Sequence, residues 1–218
     1  MEAVKIKDGV YWVGAIDHNI RNFHGYITPQ GTTYNAYLVV DEKTALIDTV
    51  KVPFSPELIS RISSIIEPAS IDYLITNHVE MDHSGSASAI MELAKKAEVV
   101  ATAKGKEFLH AHYHGSNSWN IKTVGAGDTL SLGSRTLHFI PAPMLHWPDT
   151  MFTYAVEDLV LFSNDGFGQH IATSQRFFDE ISDRDVLGEA QKYYANILMP
   201  YSRMVQKKLA EMEALDIE

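Results

Sequence analysis

The apolar positions change period several times along the chain, and each change marks an element. Residues 10–15 and 33–40 are rich in β-branched and aromatic side chains and read as strands. Asp41, Glu42 and Lys43 form the turn into a further strand over 44–48. Ser55 then stands as a helix N-cap, with Pro56 at the first helical position. Leu58, Ile59, Ile62, Ile65 and Ile66 recur on one helical face, and Pro68 closes that helix. A short apolar strand over 71–75 runs into a polar segment at 78–83. Ser84, Gly85 and Ser86 open a second helix through about residue 96. Residues 99–102 read as strand and 104–112 as helix. Strands then alternate over 120–124, 135–141, 151–156 and 159–163, and helices close the chain over 185–199 and 202–215.

The order is β-rich, then βαβα, then β-rich, then α. It predicts two sheets with helices outside, a four-layer αββα arrangement of the α/β class; an ordinary three-layer α/β domain fits the same pattern. A length of 218 residues suits one domain with a sizeable core. The net charge of -10 argues against broad phosphate contact, so nucleic acid is not an expected partner. No apolar run approaches the ~20 residues of a membrane span, and Met1-Glu2-Ala3-Val4-Lys5 opens no signal sequence. A soluble, cytoplasmic protein is the expectation. The chain has no cysteine, so thiol catalysis, disulfides, Fe–S clusters and Cys-ligated zinc are excluded. Any metal must be held by imidazole, carboxylate or backbone oxygen.

The polar segment is His78-Val79-Glu80-Met81-Asp82-His83. On an extended or tightly turned loop, alternate side chains point the same way. His78, Glu80 and Asp82 then converge on one spot, while His83 projects to the other side and could serve a second metal or the surroundings of the first. A lone histidine there is more often a satisfied loop residue, and Asp82 or Ser84 could simply cap the next helix. Two histidines and two carboxylates in six residues at a strand's carboxyl end, where α/β folds place sites, favour a metal. His146, in the Pro-flanked run 141–149, and Asp165, before Gly166 at the end of an apolar strand, each read alone as a loop or turn residue. Beside the first segment they make a dinuclear set.

Taken together, His78-x-Glu80-x-Asp82-His83, His146-Trp147-Pro148-Asp149 and Asp165-Gly166 resemble the metallo-β-lactamase-like domain of flavodiiron proteins. The resemblance covers essentially the whole chain, including Asn35-Ala36-Tyr37-Leu38, Asn77, the run 167–171 and Tyr193-Tyr194-Ala195-Asn196. It implies an αββα sandwich and two non-haem irons. One iron takes His78, Glu80 and His146; the other takes Asp82; Asp165 bridges them. His83 is then a non-ligand beside the site, and His24 and Tyr194 face the pocket for a diatomic gas. Zinc hydrolases of the superfamily carry His where Glu80 stands, and a carboxylate there makes the site harder and favours iron.

The family's sixth ligand is a histidine in a strand expected beyond Glu218. The last strand and helix of the fold, and the flavodoxin-like domain that binds FMN, are likewise expected outside residues 1–218, which read as one diiron domain incomplete at its C-terminus. A longer polypeptide, a histidine given in trans, or His83 or water in the sixth position would each complete the site. The first is favoured, because an exposed sheet edge is a liability. The resemblance implies reduction of O2 to water or of NO to N2O. Electrons would come from FMN on another domain or chain, with a rubredoxin-like donor upstream, in a head-to-tail homodimer or higher oligomer. Two other classes stay open: a flavin-free diiron protein that binds or senses O2, and a zinc hydrolase whose bridging hydroxide attacks an ester or lactam. His110, His112 and His114 read as a solvated helix end, and His18, His138 and His170 as structural.

Overall fold

Successive side chains of a strand point to opposite faces, and in the middle of this chain both faces are apolar. Every residue of the strand Thr44–Ile47 is buried. Leu46 packs to one side, and Ala45 and Ile47 to the other. Such a strand must lie in a sheet covered on both faces.

A computed structural model describes residues 1–181 and 183–218, and the side chains of all of these except 183 and 184. The chain enters as β1 (Val4–Lys7) and β2 (Val10–Trp12). It leaves the main sheet for two ribbons built from β3 (Ala15–Asp17), β4 (Asn22–Phe23), β5 (Tyr26–Ile27) and β6 (Thr32–Tyr34), and returns as β7 (Tyr37–Val40) and β8 (Thr44–Ile47). Then come α1 (Ser55–Ile62), β9 (Tyr73–Ile75), the short α2 (Met81–Ser84), α3 (Ala87–Leu93), β10 (Glu98–Ala101), α4 (Ala103–His112) and β11 (Ile121–Thr123). A meander of β12 (Thr129–Ser131), β13 (Thr136–Pro141), β14 (Met151–Ala155) and β15 (Val160–Phe162) precedes α5 (Asp183–Tyr193) and α6 (Ser202–Met212).

The larger sheet has the order β1-β2-β7-β8-β9-β10-β11. It is antiparallel as far as β8 and parallel from β8 to β11. The smaller sheet, β12-β13-β14-β15, is antiparallel throughout. Val39, Ile47, Ile75 and Val100 of the first sheet meet Leu137, Phe139, Met151 and Phe162 of the second in one core. The alternate residues Leu38, Leu46, Leu74 and Val99 pack on Leu58, Ile62, Ile90 and Leu109 of α1, α3 and α4. On the far side, Phe152 of β14 packs with Tyr193 of α5 and Met212 of α6. The architecture is therefore the four-layer αββα sandwich, not the three-layer alternative. Among the described residues, no helix is long and apolar enough to cross a membrane.

Several elements are shorter than their hydrophobic runs suggest, each for a local reason. The runs at 10–15 and 33–40 both break where the chain passes from the large sheet into the β3–β6 ribbon. At Gly14 a Cβ would lie 2.0 Å from the Tyr34 carbonyl oxygen, so only glycine fits the crossing. Asn35 accepts a hydrogen bond from Trp12 Nε1 at 2.9 Å across the same break. Ser55 is the first residue of α1 rather than its cap, and its hydroxyl pairs with Ser86 Oγ at 2.7 Å. The helix stops at Ile62, and Ile65 and Ile66 pack on the core from the following turn. The helix expected from Ser84 is split into α2 and α3 around Gly85, where a Cβ would meet the Met81 carbonyl oxygen at 2.4 Å.

Phe139 is fully buried between the two sheets. Phe139→Ala is expected to cost about 3–5 kcal/mol of unfolding free energy, read from the midpoint of a urea titration.

Candidate metal centre

Two buried aspartates fix the loops that carry the site. Asp48, at the end of β8, accepts from the Asn77 backbone N–H at 2.8 Å, from Asn77 Nδ2 at 3.2 Å and from Asn164 Nδ2 at 3.0 Å. It thereby joins the residue before His78 to the residue before Asp165. Burial, only partly offset by the nearby His83 and these bonds, pushes the Asp48 carboxyl up to about 6. Asp149 is 1% exposed and accepts from the Val79 backbone N–H at 2.8 Å. Both its oxygens lie 3.2 Å from His78 Nδ1. A carboxylate only accepts, so His78 donates from Nδ1 and its Nε2 is left facing the site.

Seven side chains converge there. His78 Nε2 is 3.3 Å from Glu80 Oε2 and 3.5 Å from Asp165 Oδ2. His146 Nε2, from the β13–β14 loop, is 3.1 Å from Glu80 Oε2 and 3.2 Å from Asp165 Oδ2. His78, Glu80, His146 and Asp165 thus present one group of ligand atoms within 4.8 Å of one another. The other Asp165 oxygen, Oδ1, faces away from that group, 2.8 Å from His83 Nε2. His83 Nε2 is in turn 3.3 Å from Asp82 Oδ2. Asp165 therefore stands between two clusters, one oxygen toward each. A second group, His24, Glu80 and Asp82, closes the remaining side. A cavity of about 540 Å³ opens onto Asp82, His83, Asp165, His170 and Tyr193.

Three carboxylates so close together, Asp82 and Asp165 buried and Glu80 partly so, need positive charge. Within the chain it comes from the imidazoles. Burial disfavours charging His78 and His146, but bonds to Asp149 and Glu80 in the first, and to Asp165 and Glu80 in the second, raise both to about 9. Burial likewise opposes His83, which Asp82 and Asp165 nonetheless hold well above the usual imidazole range. Glu80 is driven far below the carboxylate range by His146, His24 and His78, against its burial. Asp165 is lowered by His83 and His146 despite burial, while Asp82 is raised, chiefly by burial. A bound divalent cation does the same work and releases those protons.

The unpaired atoms fit that role. Asp165 Oδ2 and Asp82 Oδ1 are buried with no hydrogen-bond partner, although Asp165 Oδ2 lies within 3.5 Å of two imidazole nitrogens. Atoms that crowd together without hydrogen-bond geometry suit a cation placed among them. Two imidazoles and two carboxylates form a hard, oxygen-rich set that suits iron better than zinc.

Two expectations change. His83 does not project to the other side: the chain turns into α2 at Met81, so Asp82 and His83 leave at helical spacing and His83 Nε2 points at Asp165. Tyr194 does not face the pocket; it is 38% exposed, while Tyr193 is 2% exposed and its ring lies 6.1 Å from that of His24. Tyr193 closes the regular helix α5 and the chain passes into a π-helical turn at Tyr194–Leu198, so the position that the resemblance assigned to Tyr194 is filled by the residue before it. His170 is structural as expected, its Nδ1 2.8 Å from Thr32 Oγ1, but it also borders the site. His24 reaches the site from the turn between β4 and β5, where His24 and Gly25 have φ of 51° and 81°. Positive φ at both central residues is the hairpin turn whose twist matches its strands. A histidine is unusual in the first place, and it carries Nε2 to within 3.1 Å of Glu80 Oε1. The orienting role of Asp149 was missed because its partner His78 is 71 residues away; an acidic residue beside a ligating His was its only signal.

A family model described as ODP family beta lactamase matches residues 32–218. A nitric oxide reductase from Moorella thermoacetica is 53% identical over 99% of this chain and 54% of its own length. A rubredoxin-oxygen oxidoreductase from Megalodesulfovibrio gigas is 46% identical over 96% of this chain and 52% of its own. The crystal structure of the flavodiiron protein from Giardia intestinalis superposes with a TM-score of 0.96, 42% identity and coverage of 100% and 53%. The chain thus spans about half the length of the relatives it matches.

Asp149→Asn keeps an acceptor for the Val79 amide but weakens the hold on His78. It is expected to lower affinity for the first metal about 10–100-fold, measured by competition with a chromophoric chelator, with little change in the melting temperature of the metal-free protein.

Proposed function

The chain belongs to the ODP beta-lactamase family, in its flavodiiron form, and from that premise we propose that it is the iron-bearing half of an oxidoreductase that reduces O2 to water or NO to N2O. The observation that carries this reading is Asp165, set between His78, Glu80 and His146 on one side and Asp82 and His83 on the other. One carboxylate so placed holds two metals at a fixed spacing.

In this reading His78, Glu80 and His146 would hold one iron, Asp82 the other, and Asp165 would reach both. When bound, the irons supply the electrons and the open coordination positions at which a diatomic gas reacts. The chain supplies geometry and polarity. Asp149 locks His78 in the tautomer that leaves Nε2 free. Asp48 keeps the His78 and Asp165 loops in mutual register. His24 and the buried Tyr193 offer donors beside Glu80. A sixth donor, a histidine from outside residues 1–218, completes the second metal. Electrons reach the site from FMN on a separate domain or chain, fed by a rubredoxin-like donor, in a head-to-tail dimer. The words rubredoxin and flavodiiron in the names of two relatives support the donor and the flavin in this reading.

One observation favours a second reading. His83 Nε2 faces Asp82 and Asp165, as a donor to the second metal does in zinc hydrolases of the superfamily. Glu80 weighs against it, because a third carboxylate in place of a histidine favours a harder ion. The two readings part on metal content. Protein loaded anaerobically from an equal mixture of Fe(II) and Zn(II) is expected to take two irons per chain and, once reduced, to consume O2 or NO. Glu80→His is expected to shift loading to zinc and to cut gas consumption by at least the roughly 10–100-fold that loss of an outer partner costs. Unchanged iron loading and gas consumption in Glu80→His, or two zincs with esterase activity in the unaltered protein, would sink the proposal.

A further inference from the structure

A row of buried polar groups runs from His24, at the edge of the metal centre, toward the surface. It begins at His24, whose Nε2 is 3.1 Å from Glu80 Oε1 and whose Nδ1 is buried without a partner. Behind His24 stand His170 and Tyr193, with ring centroids 5.4 and 6.1 Å from its own and 5.6 Å from each other. The ring of Tyr26 is 5.8 Å from that of His170. Lys192 Nζ lies 5.6 Å from the Tyr26 ring centroid and 3.6 Å from Glu189 Oε2. There the row meets solvent, the Lys192 side chain being 31% exposed.

Each member keeps a polar atom unsatisfied. The hydroxyls of Tyr26 and Tyr193, His170 Nε2, His24 Nδ1 and Glu189 Oε2 are all buried with no hydrogen-bond partner. Native proteins leave few such atoms, and each costs free energy. Several in one wall, beside a site that handles protons, call for a shared explanation. Their chemistry suits bridging by water, because a buried water needs a few polar partners and these supply them. Metal coordination does not suit this row: its members are mostly neutral hydroxyls and imidazoles, and Glu189 is its one carboxylate.

We propose that Glu189, Tyr26, His170, Tyr193 and His24 form a water-bridged route that carries protons from the surface to the metal centre. The proposal rests on the oxidoreductase reading above, since reducing O2 to water or NO to N2O consumes protons as well as electrons. Glu189 takes a proton from solvent. Each hydroxyl or bridging water then passes one proton inward as it receives another. The proton arrives at His24, the member that touches Glu80. Burial, with His24 and Lys192 nearby, holds His170 down at about 4. It therefore stays neutral at neutral pH and orders the row without trapping the proton.

The test has two arms. In the zinc-loaded protein, exchange of the His24 and His170 ring N–H groups with solvent is followed by nitrogen-edited NMR. Exchange is expected to slow several-fold in Glu189→Gln and in Tyr26→Phe, and to recover in Glu189→Asp. In the iron-loaded protein supplied with a chemical reductant, the same two substitutions are expected to slow gas consumption several-fold and to enlarge its solvent deuterium isotope effect. Added imidazole buffer restores the Glu189→Gln rate. Unchanged exchange in both variants overturns the route whether or not the protein reduces a gas. Slowed exchange in a protein that consumes neither gas supports the route and overturns the oxidoreductase reading instead. Should Glu189→Gln fail to fold, Tyr26→Phe, which removes one hydroxyl, decides the first arm alone.

Discussion

The crowding of Glu80, Asp82 and Asp165 into one small space largely shut off from water is the constraint on which the rest of this structure depends. Like charges at that separation repel strongly away from water, so the chain surrounds them with imidazoles from four directions: His24, His78, His83 and His146. The histidines come from separate loops, and those loops need anchors. Asp48 and Asp149 provide them by spending their own lone pairs on Asn77, Asn164, Val79 and His78. Left-handed backbone collects in the same region, at His24, Asp48, Met144 and Asn164. Strain of this kind persists only where the surroundings over-determine it, and here the two-sheet core does so from below.

The layers follow from the same economy. A parallel segment buried on both faces puts the carboxyl ends of β8 and β9 side by side, and Asp48 and Asn77 follow directly from those ends. The smaller sheet brings β13, β14 and β15 over them, so that His146 and Asp165 arrive from above. Helix α5 covers the outer flank with Tyr193. The site lies where the two sheets' loops meet, which explains why its ligands are spread from residue 78 to residue 165.

Much of this was legible in the sequence where the signal is local. The core of the strand expected at 44–48 declares itself because every residue from Thr44 to Ile47 is apolar or small. The segment 78–83 declares itself because so many ligand types crowd into six residues. What stayed hidden depends on distant partners. The breaks at Gly14 and Asn35 require the Tyr34 carbonyl and the Trp12 ring to be in place. The direction of His83 depends on a helical turn starting at Met81, and the burial of Tyr193 rather than Tyr194 on how α5 packs against the ring of His24. The strands β1, β4, β5 and β12 are short or at sheet edges, where packing leaves little imprint on side-chain pattern.

The central claim is that one carboxylate, Asp165, joins two metals. Anomalous diffraction at the iron edge, from crystals of protein loaded with iron alone under anaerobic conditions, tests it most directly. The account predicts two iron peaks flanking the Asp165 carboxylate, one of them also in contact with His78, Glu80 and His146, the other with Asp82. A single peak, or two peaks that do not share Asp165, would contradict it.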